Sequence, residues 1–523
     1  MNKLPPPPRA REFASDLLKE FRHMRENLAR QEQLLEQIMA SLEQGETEVT
    51  DLPSSGKPEM AAWCPQENGM AVSESLQKLK LRKVEQATGA PDILLRIKRT
   101  WIGRLYKNHL KQILILRWLI IWGWRTLYPI YTNTIAVYLG SRASKRWRPL
   151  VKLGDHVQTL CLPTTKVFDA ARVDTPVPTV IPDKDQAYLV PPHERYMFPP
   201  VYVAELSNSL VYGGTNLVFA QDAVICHDLY DFERDYTSEE LHGRHLIDAK
   251  KMRMRLLRHD ATPDRVAVAA AFVDACAPNY AHWMTEVLPR IAAFCSVEQF
   301  ANIPLIINEG LHHNIMESLA LISGSEREVI SLPVGRGILV DRLYVTSVAG
   351  YVPFERRDEK LAGHSHGLFC PPALGLIRDR ISSFATSLPT QDYPKKIFLR
   401  RTSGGRKVVN EIELEEVLLE NGFVIIQPER LTFLQQVALF NNAEDIAGPS
   451  GAALANLVFA PTKVNCHILI GKLRGTSYWY WQNIACSCGK TVRYIFGELT
   501  EGASGIHGDF RVDLKDVIQV LRA

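Results

Sequence analysis

Between residues 395 and 470 the chain alternates short apolar runs with amphipathic segments. Brief apolar runs suit buried strands, and the segments between them repeat apolar positions at helical spacing. The pattern therefore predicts four strands, with a helix after each of the first three. Because these strands are apolar on both faces, we expect a parallel sheet covered by helices on both sides. The predicted strands are residues 397–399, 423–426, 445–447 and 466–470.

A second stretch of the same kind lies upstream and predicts a second parallel sheet. Ahead of it, alternation between residues 201 and 226 predicts strands with hairpin spacing. The Pro- and Asp-rich residues 152–200 predict extended or loop-like chain. The fold class expected is α/β, with residues 375–390 joining the two sheets. The upstream strand patterns lie at 266–273, 303–307 and 338–346, and the helix patterns at 279–294 and 313–322.

The first 45 residues carry a different pattern. Residues 11–45 place apolar side chains at alternating steps of three and four, which predicts a coiled-coil helix of about four heptads. We expect this helix to make the protein a homo-oligomer, and a single amphipathic helix lying on the protein body is the alternative. Residues 46–90 contain Thr, Ser, Gly, Pro and charged residues with little periodicity, which predicts a linker.

Residues 91–150 are basic, apolar and rich in tryptophan. The apolar core of this segment, residues 113–124, is short for a membrane span and contains Arg117. We predict an interfacial helical segment over residues 91–140, with tryptophans at headgroup depth and cations toward anionic lipid. The alternative is a helical hairpin packed against protein.

Composition adds few constraints on the number of domains, the partners and the cellular compartment. At 523 residues the chain has room for two or three domains, and its net charge of +3 gives no reason to expect a nucleic acid as partner. Nine cysteines, single apart from Cys486-Ser487-Cys488, match neither a disulfide framework nor a zinc site. We therefore expect a reducing compartment. Since the N-terminus lacks the apolar region of a secretory signal, the simplest choice is a bacterial cytoplasm.

Two glycine-containing loops follow the first and third strands of the downstream pattern, at residues 400–406 and 448–453. Ligands of parallel sheets bind at the carboxyl ends of the strands, beside helix N-termini. Arg401 and Arg406 add positive charge and forked hydrogen bonds there. The two loops together predict a phosphate site, and ordinary turns with solvated arginines are the alternative. Backbone N–H groups can approach an anion at small residues, which here are Ser450, Gly451 and Ala452.

Several spaced motifs occur together in a known family. They are Arg400 to Glu411, Gly422-Phe423, Gly448 to Asn456 with Phe459-Ala460-Pro461, and Asn279 to Glu286 with Leu288-Pro289-Arg290. This set resembles glycosyltransferase family 61, which includes capsular polysaccharide biosynthesis enzymes. The resemblance implies a GT-B-like pair of Rossmann-type domains, with the acceptor domain at residues 151–385 and the nucleotide-sugar donor domain at 386–523. It also implies inversion at the anomeric carbon.

His282 and Glu286 are four residues apart on a predicted helix, so they share a face and the carboxylate can orient the imidazole. Glycosyl transfer needs a base that takes the proton of the acceptor hydroxyl, and a histidine can do so near neutral pH. The resemblance supports this role for His282, and a buried histidine bonded to backbone is the structural alternative. Asp274 and Glu286 stay open as the base.

Three further polar residues are candidate nucleoside contacts. Asn456 either reaches the ribose or base or satisfies a neighbouring loop, and both readings stay open. Gln427 and Glu429 end the second predicted strand, where ligand-facing polar residues are expected. We predict no metal site, because the His and Asp residues lack companions at ligand spacing, and arginines with a helix dipole would take the place of a cation.

The function expected is inverting, metal-independent transfer of a sugar from a nucleotide-sugar donor, UDP-linked by preference, to a hydroxyl of a surface polysaccharide or other glycan or glycolipid acceptor. No cofactor besides this donor substrate is expected. The tryptophan-rich segment would hold the enzyme peripherally at the cytoplasmic face of a bacterial inner membrane. The alternative is a catalytically inactive, membrane-associated coiled-coil scaffold of a polysaccharide assembly complex.

Overall fold

Two β-sheets with covering helices make up the computed structural model of the protein. The predicted coiled coil at 11–45 and nearly all of the tryptophan-rich segment at 91–150 lie outside the described residues. The structure describes residues 79–84, 147–189, 195–231, 233–241, 245–256, 263–324, 326–353, 355–356, 367–385, 392–402, 404–473, 478–500 and 507–521.

The elements are numbered in chain order. The strands are β1 (Lys80–Lys83), β2 (Arg148–Lys152), β3 (Thr164–Phe168), β4 (Ala171–Asp174), β5 (Thr179–Ile181), β6 (Arg195–Phe198), β7 (Val201–Tyr212), β8 (Val218–Phe219), β9 (Val224–Cys226), β10 (Asp235–Tyr236), β11 (His245–Asp248), β12 (Arg253–Leu256), β13 (Asp264–Ala271), β14 (Leu305–Asn308), β15 (Glu328–Leu332), β16 (Gly337–Thr346), β17 (Gly350–Tyr351), β18 (Glu355–Arg356), β19 (Leu368–Phe369), β20 (Lys396–Leu399), β21 (Val424–Ile426), β22 (Asp445–Pro449), β23 (Asn465–Gly471), β24 (Arg493–Leu499) and β25 (Phe510–Arg511). The α-helices are α1 (Leu153–Leu160), α2 (Ser238–Leu241), α3 (Tyr280–His282), α4 (Leu288–Cys295), α5 (His313–Ser323), α6 (Pro371–Ala385), α7 (Glu411–Glu420), α8 (Phe433–Asn442), α9 (Trp479–Ser487) and α10 (Leu514–Leu521).

The first sheet runs in the order β1-β15-β14-β13-β16-β7-β8-β9-β2-β12-β11, with β3 also paired to β7. Its strands from β1 to β16 in that order are parallel, and β16 pairs with β7 in antiparallel register. The central parallel strands are fully buried toward their carboxyl ends, as expected for a sheet with helices on both faces. We call this sheet with its helices the first lobe.

The second sheet runs in the order β21-β20-β22-β23-β24-β25, with β5 also paired to β24. Five of its strands, β20 to β24, are mutually parallel and lie in the spatial order 2-1-3-4-5 of a doubly wound sheet. The order reverses between β20 and β22, and this is where doubly wound sheets bind ligands. We call this sheet with its helices the second lobe.

A shared apolar core joins the two lobes, which belong to one compact unit, Ala61–Ala523. Ile291 of α4 and Leu374 of α6 belong to the same buried cluster as Phe440 of α8 and Leu457 of the 3-10 helix Ala452–Val458. Every one of these four side chains is fully buried. Burial of this kind stabilises the lobe contact by about 1.5–3 kcal/mol per large side chain.

Most of the elements predicted around the two sheets are confirmed. The four downstream strands correspond to β20, β21, β22 and β23, and the three upstream ones to β13, β14 and β16. The strand β15 was not predicted, although it lies between β1 and β14 in the parallel part of the first sheet.

Three parts of the prediction differ from the structure. Residues 152–200, expected as loop-like, contain α1 and the strands β3 to β6. Their pairing partners lie far along the chain, as β5 with β24 shows, so local composition does not reveal them. Residues 80–83 of the predicted linker form the edge strand β1, whose side chains are all exposed, so its stability comes from backbone pairing with β15. The alternating region 201–226, expected to form strands with hairpin spacing, begins with one long strand, β7, over residues 201–212.

No helix in the described part of the chain combines the length and apolar character needed to cross a bilayer.

Candidate functional site

An open crevice of about 310 Å³ lies at the carboxyl ends of β20 and β22, where the strand order of the second sheet reverses. Residues of both lobes line it. The α3 segment of the first lobe faces the two glycine-containing loops of the second lobe across the crevice. The lining residues are Pro278, Tyr280, His312, Asn314, Ile315, Leu399, Arg400, Arg401, Thr402, Pro428, Glu429, Gln436, Pro449, Gly451, Ala452, Ala453 and Leu454. A crevice of this size lies within the range of small-molecule sites.

Arg401 is the cation of the crevice wall on the loop after β20. Its Nε donates to the Gly405 carbonyl at 2.7 Å, which fixes the guanidinium within its own loop. A Cβ atom at Gly451 would lie only 2.6 Å from Nη1 of Arg401, so the glycine makes this close approach possible. Burial lowers the pKa of Arg401. The ordinary pKa of arginine is so high that the guanidinium still stays charged at neutral pH.

Arg406 lies at the far end of the same loop, beside the crevice lining rather than in it. Its φ is +67°, a conformation that costs energy in a non-glycine residue, and its backbone N–H donates to the His507 carbonyl at 3.1 Å. Its Nε is buried without a hydrogen-bond partner. Burial, with a contribution from Arg401, lowers the pKa of Arg406 to about 10. A strained, half-buried cation with an unused donor is suited to an anionic ligand.

The first arginine of the loop has a structural role. Arg400 forms a two-pronged ion pair with Glu415 of α7, and both side chains are 3% exposed. Its backbone N–H donates to Ile426 in the neighbouring strand. Because Glu415 neutralises the charge of Arg400, the positive charge at the crevice comes from Arg401.

The three residues predicted to approach an anion, Ser450, Gly451 and Ala452, have two different roles in the structure. Ser450 accepts a hydrogen bond from Trp481 Nε1 at 2.9 Å, and its own N–H donates to the Leu469 carbonyl at 2.9 Å. The serine is thus bound within the second lobe and does not offer its N–H to a ligand. Gly451 and Ala452 line the crevice at the start of the 3-10 helix Ala452–Val458.

His282 and Glu286 are hydrogen-bonded through Nδ1 and Oε2, as their four-residue spacing predicts. Asn279 caps the start of α3 by accepting from the Ala281 N–H at 3.0 Å. The helix then widens into the π-helical turn Trp283–Val287, a feature that often marks functional positions. Glu286 is held from the other side by the Val352 N–H, at 2.8 Å.

The electrostatics of this pair favour a charged or proton-sharing arrangement. Burial lowers the pKa of His282, but the Glu286 carboxylate and Asp274 more than offset it, so the net pKa lies above the ordinary value of 6.5. Burial raises the pKa of Glu286, and His282 partly opposes this. With Nδ1–H donating to Glu286, the neutral imidazole carries its lone pair on Nε2.

Asp274, the other candidate base, has its carboxylate engaged by three donors. Arg290 and Asn216 donate to Oδ2 at 3.2 and 3.1 Å, and the Cys276 N–H donates to Oδ1 at 2.9 Å. Arg290 also donates to the Glu286 carbonyl at 3.0 Å. Asp274 therefore positions Arg290 against the helix that carries the His282–Glu286 pair.

Tyr480 of α9 lies close to both halves of the site. Burial raises its pKa first, Glu286 raises it further, and Arg406 opposes this. The hydroxyl is therefore within range of the charges of Glu286 in the first lobe and Arg406 in the second. No local sequence signal singled out Tyr480.

Two small cavities open on the first-lobe side of Glu286. His227 lines both, stacks on Tyr230 with 3.8 Å between ring centroids, and has a buried Nδ1 without a partner. Burial, then Arg290, lowers the pKa of His227 to about 3, so this imidazole is neutral. It follows a predicted strand at 223–226, but nothing in its sequence context marked it.

The three candidate nucleoside contacts are placed differently. Asn456 is fully buried, accepts from the Tyr280 hydroxyl at 2.6 Å and donates to Gln436 at 2.8 Å. Its amide is thus used between the lobes, which favours the structural reading. Glu429 lines the crevice and accepts from the Thr402 hydroxyl. Gln427 is 7% exposed and lies outside the lining.

Within the described ranges, no group of three or more His, Cys, Asp or Glu side chains is arranged to hold a metal ion.

A comparison with protein families places similarity over the part of the chain that holds this site. Residues 280–468 match the family described as Glycosyltransferase 61, a span that contains His282, Glu286 and both glycine loops. A stretch of 108 residues is 32% identical to the EGF domain-specific O-linked N-acetylglucosamine transferase of Drosophila melanogaster. That stretch covers 18% of this chain and 21% of the relative's length. Both similarities are to glycosyltransferases.

Proposed function

We propose that the protein is a glycosyltransferase that moves a sugar from a nucleotide-sugar donor to an acceptor hydroxyl with inversion. One observation carries this proposal: Arg401 and Gly451 meet at the strand-order reversal of the second sheet, and Tyr280, two residues before His282 on the same helix, lines that crevice from the first lobe. The similarity to family 61 over residues 280–468 supports the same reaction class.

The leaving group defines the task of the second lobe. When the bond between the anomeric carbon and the phosphate oxygen breaks, the nucleoside diphosphate takes the electron pair and gains charge. Fixed donors aimed at that charge lower the barrier, because they need no reorganisation as the reaction proceeds. Arg401 and Arg406 supply such donors, and Arg406 keeps an unused Nε for it. On this basis we propose that cationic side chains neutralise the departing diphosphate, without requiring a metal ion.

The acceptor defines the task of the first lobe. As the acceptor oxygen bonds to the anomeric carbon it loses its proton, and His282 Nε2 accepts that proton in the proposed mechanism. Glu286 stabilises the resulting imidazolium through Nδ1, as a carboxylate does in other histidine-based sites. Direct displacement by one base inverts the configuration, since the acceptor attacks opposite the leaving group. Asp274 positions Arg290 and does not take the proton.

The two-lobed arrangement supports a GT-B-like division, with the acceptor on the first lobe and the donor on the second. We propose a glycan hydroxyl as acceptor and a UDP-sugar as donor. The Drosophila relative is named for N-acetylglucosamine transfer, so UDP-N-acetylglucosamine is the first donor to offer.

The test is a transfer assay on the purified full-length chain. A panel of UDP-, GDP- and CDP-sugars is offered with glycan acceptors, with and without a metal chelator, and nucleotide release is measured. We expect acceptor-dependent release of UDP, retained in chelator, and a product of inverted anomeric configuration by NMR. Absence of both nucleotide binding and transfer across the panel would reject the enzyme and favour the scaffold alternative.

A further inference from the structure

Two side chains at the start of helix α5 line the crevice from the first lobe. They are His312 and Asn314, and they face the lining residues that follow β20, β21 and β22. His312 and His313 are adjacent in the sequence and lack companions at metal-ligand spacing. The structure indicates a different role for His312.

His312 presents a hydrogen-bond donor of defined position. It is the N-cap residue of α5, and its Nδ1 accepts from the Asn314 N–H at 3.3 Å. In the neutral ring the hydrogen is therefore on Nε2. The side chain is exposed at the crevice, so this N–H is available to a ligand.

Asn314 supplies an acceptor beside it. The side chain is 4% exposed, and its Nδ2 donates to the Leu431 carbonyl of the second lobe at 3.1 Å. This bond fixes which way the amide faces. Its Oδ1 is then left buried without a hydrogen-bond partner. Buried polar atoms are nearly always paired, so an unpaired acceptor beside a crevice indicates a donor that arrives with a ligand.

The position of this pair matches one end of a nucleotide. Leu431 directly follows the turn Pro428–Arg430, which lies at the carboxyl end of β21. The sheet order is β21-β20-β22, so β21 and β22 are about 10 Å apart at two strand spacings. If a diphosphate binds at the loops after β20 and β22, the nucleoside extends toward β21.

We propose that His312 and Asn314 bind the base of the nucleotide donor, which rests on the proposed function being correct. Asn314 Oδ1 accepts a ring or exocyclic N–H, and His312 Nε2–H donates to the neighbouring carbonyl or ring nitrogen. Uracil offers such an edge, with its imide N–H beside two carbonyl oxygens. The first lobe thus reads the base, while the second lobe holds the diphosphate, and donor binding bridges the two lobes.

The experiment separates the two halves of the ligand. UDP, uridine and inorganic pyrophosphate are titrated calorimetrically into the full-length chain and into His312→Asn, Asn314→Ala and the control His313→Asn. Asparagine is itself a good N-cap, so His312→Asn removes the imidazole donor while preserving the helix start. His313 is equally exposed on the same turn but lies outside the crevice lining.

We expect His312→Asn and Asn314→Ala each to weaken UDP and uridine about tenfold, the effect of one lost hydrogen bond, and to leave pyrophosphate unchanged. His313→Asn should match the wild type for all three ligands, and thermal melting confirms that each variant is folded. If the wild type binds UDP but neither crevice variant changes its affinity, this inference is wrong and the proposed function stands. If the wild type binds neither UDP nor pyrophosphate, both are wrong.

Discussion

The carboxylate of Glu317 in the first lobe accepts a 3.1 Å hydrogen bond from the backbone N–H of Phe433, the first residue of helix α8 in the second lobe. Its other oxygen accepts from Leu434 at the same distance. A negative charge at a helix N-terminus is favourable, yet Glu317 is 1% exposed. The effect of burial on the pKa exceeds that of the two hydrogen bonds, so the pKa of Glu317 is raised to about 7.

This raised pKa predicts a pH-dependent contribution to stability. The folded state holds the proton more tightly than the unfolded chain, whose ordinary value is 4.5. The contribution is therefore complete below pH 4.5 and is lost as the pH rises to about 7. We expect the free energy of unfolding of the wild type, relative to Glu317→Gln, to fall by roughly 3 kcal/mol across that window. Denaturant titrations at several pH values measure it, and a constant difference would show that Glu317 does not titrate there.

The guanidinium of Arg406 should matter more for activity than the neighbouring cation of Lys407. Arg406→Ala removes a half-buried guanidinium with an unused Nε, and we expect kcat/KM to fall about 10²- to 10³-fold, as for loss of one preorganised donor at developing charge. Lys407 is exposed and directly follows Arg406, so Lys407→Ala is the matched control and should retain wild-type activity. Equal losses in both variants would mean that general surface charge, not the Arg406 position, matters.

Gly451 tests the close approach of the two loops. Its backbone is extended, with φ near −164°, so alanine fits the backbone, but the new Cβ would lie 2.6 Å from Arg401 Nη1. We expect Gly451→Ala to displace the guanidinium and to weaken UDP binding about tenfold or more, with little change in melting temperature. Gly375 within α6 has open space for a Cβ, so Gly375→Ala should leave binding unchanged and stabilise the fold by about 0.5–1 kcal/mol. Unaltered UDP affinity in Gly451→Ala would contradict this role for Arg401.

The sequence was informative where the signal is local. Apolar runs and glycine loops located β20 to β23, Arg401 and Gly451, and the four-residue spacing paired His282 with Glu286, as observed. Hydrogen bonds between segments far apart in the chain could not be predicted from the sequence. The Ser450 N–H is taken by a neighbouring strand, and the Asn456 amide by Tyr280 from 176 residues upstream. Tyr480 and the orphan oxygen of Asn314 likewise become visible only when the lobes are assembled.

The His282–Glu286 pair predicts the shape of the pH–rate profile. A base must be unprotonated to act, and the pKa of His282 is raised, chiefly because Glu286 outweighs burial. We expect kcat/KM to rise with pH along a limb whose apparent pKa lies above 6.5, and to level off on the alkaline side. His282→Ala should remove this limb together with most of the activity.

Removal of the Glu286 carboxylate tests whether His282 is the base. Glu286→Gln keeps the side chain's shape and its acceptor for the Val352 N–H, but it deletes the charge that raises the pKa of His282. Burial then dominates, so the limb should shift to lower pH while the plateau falls by about 10²- to 10⁴-fold, because the imidazolium loses its stabilising partner. Asp274→Asn should shift the limb in the same direction but less, since Asp274 contributes the smaller part. A limb that stays in place in Glu286→Gln would identify another residue as the base, and a limb that disappears would identify Glu286 itself.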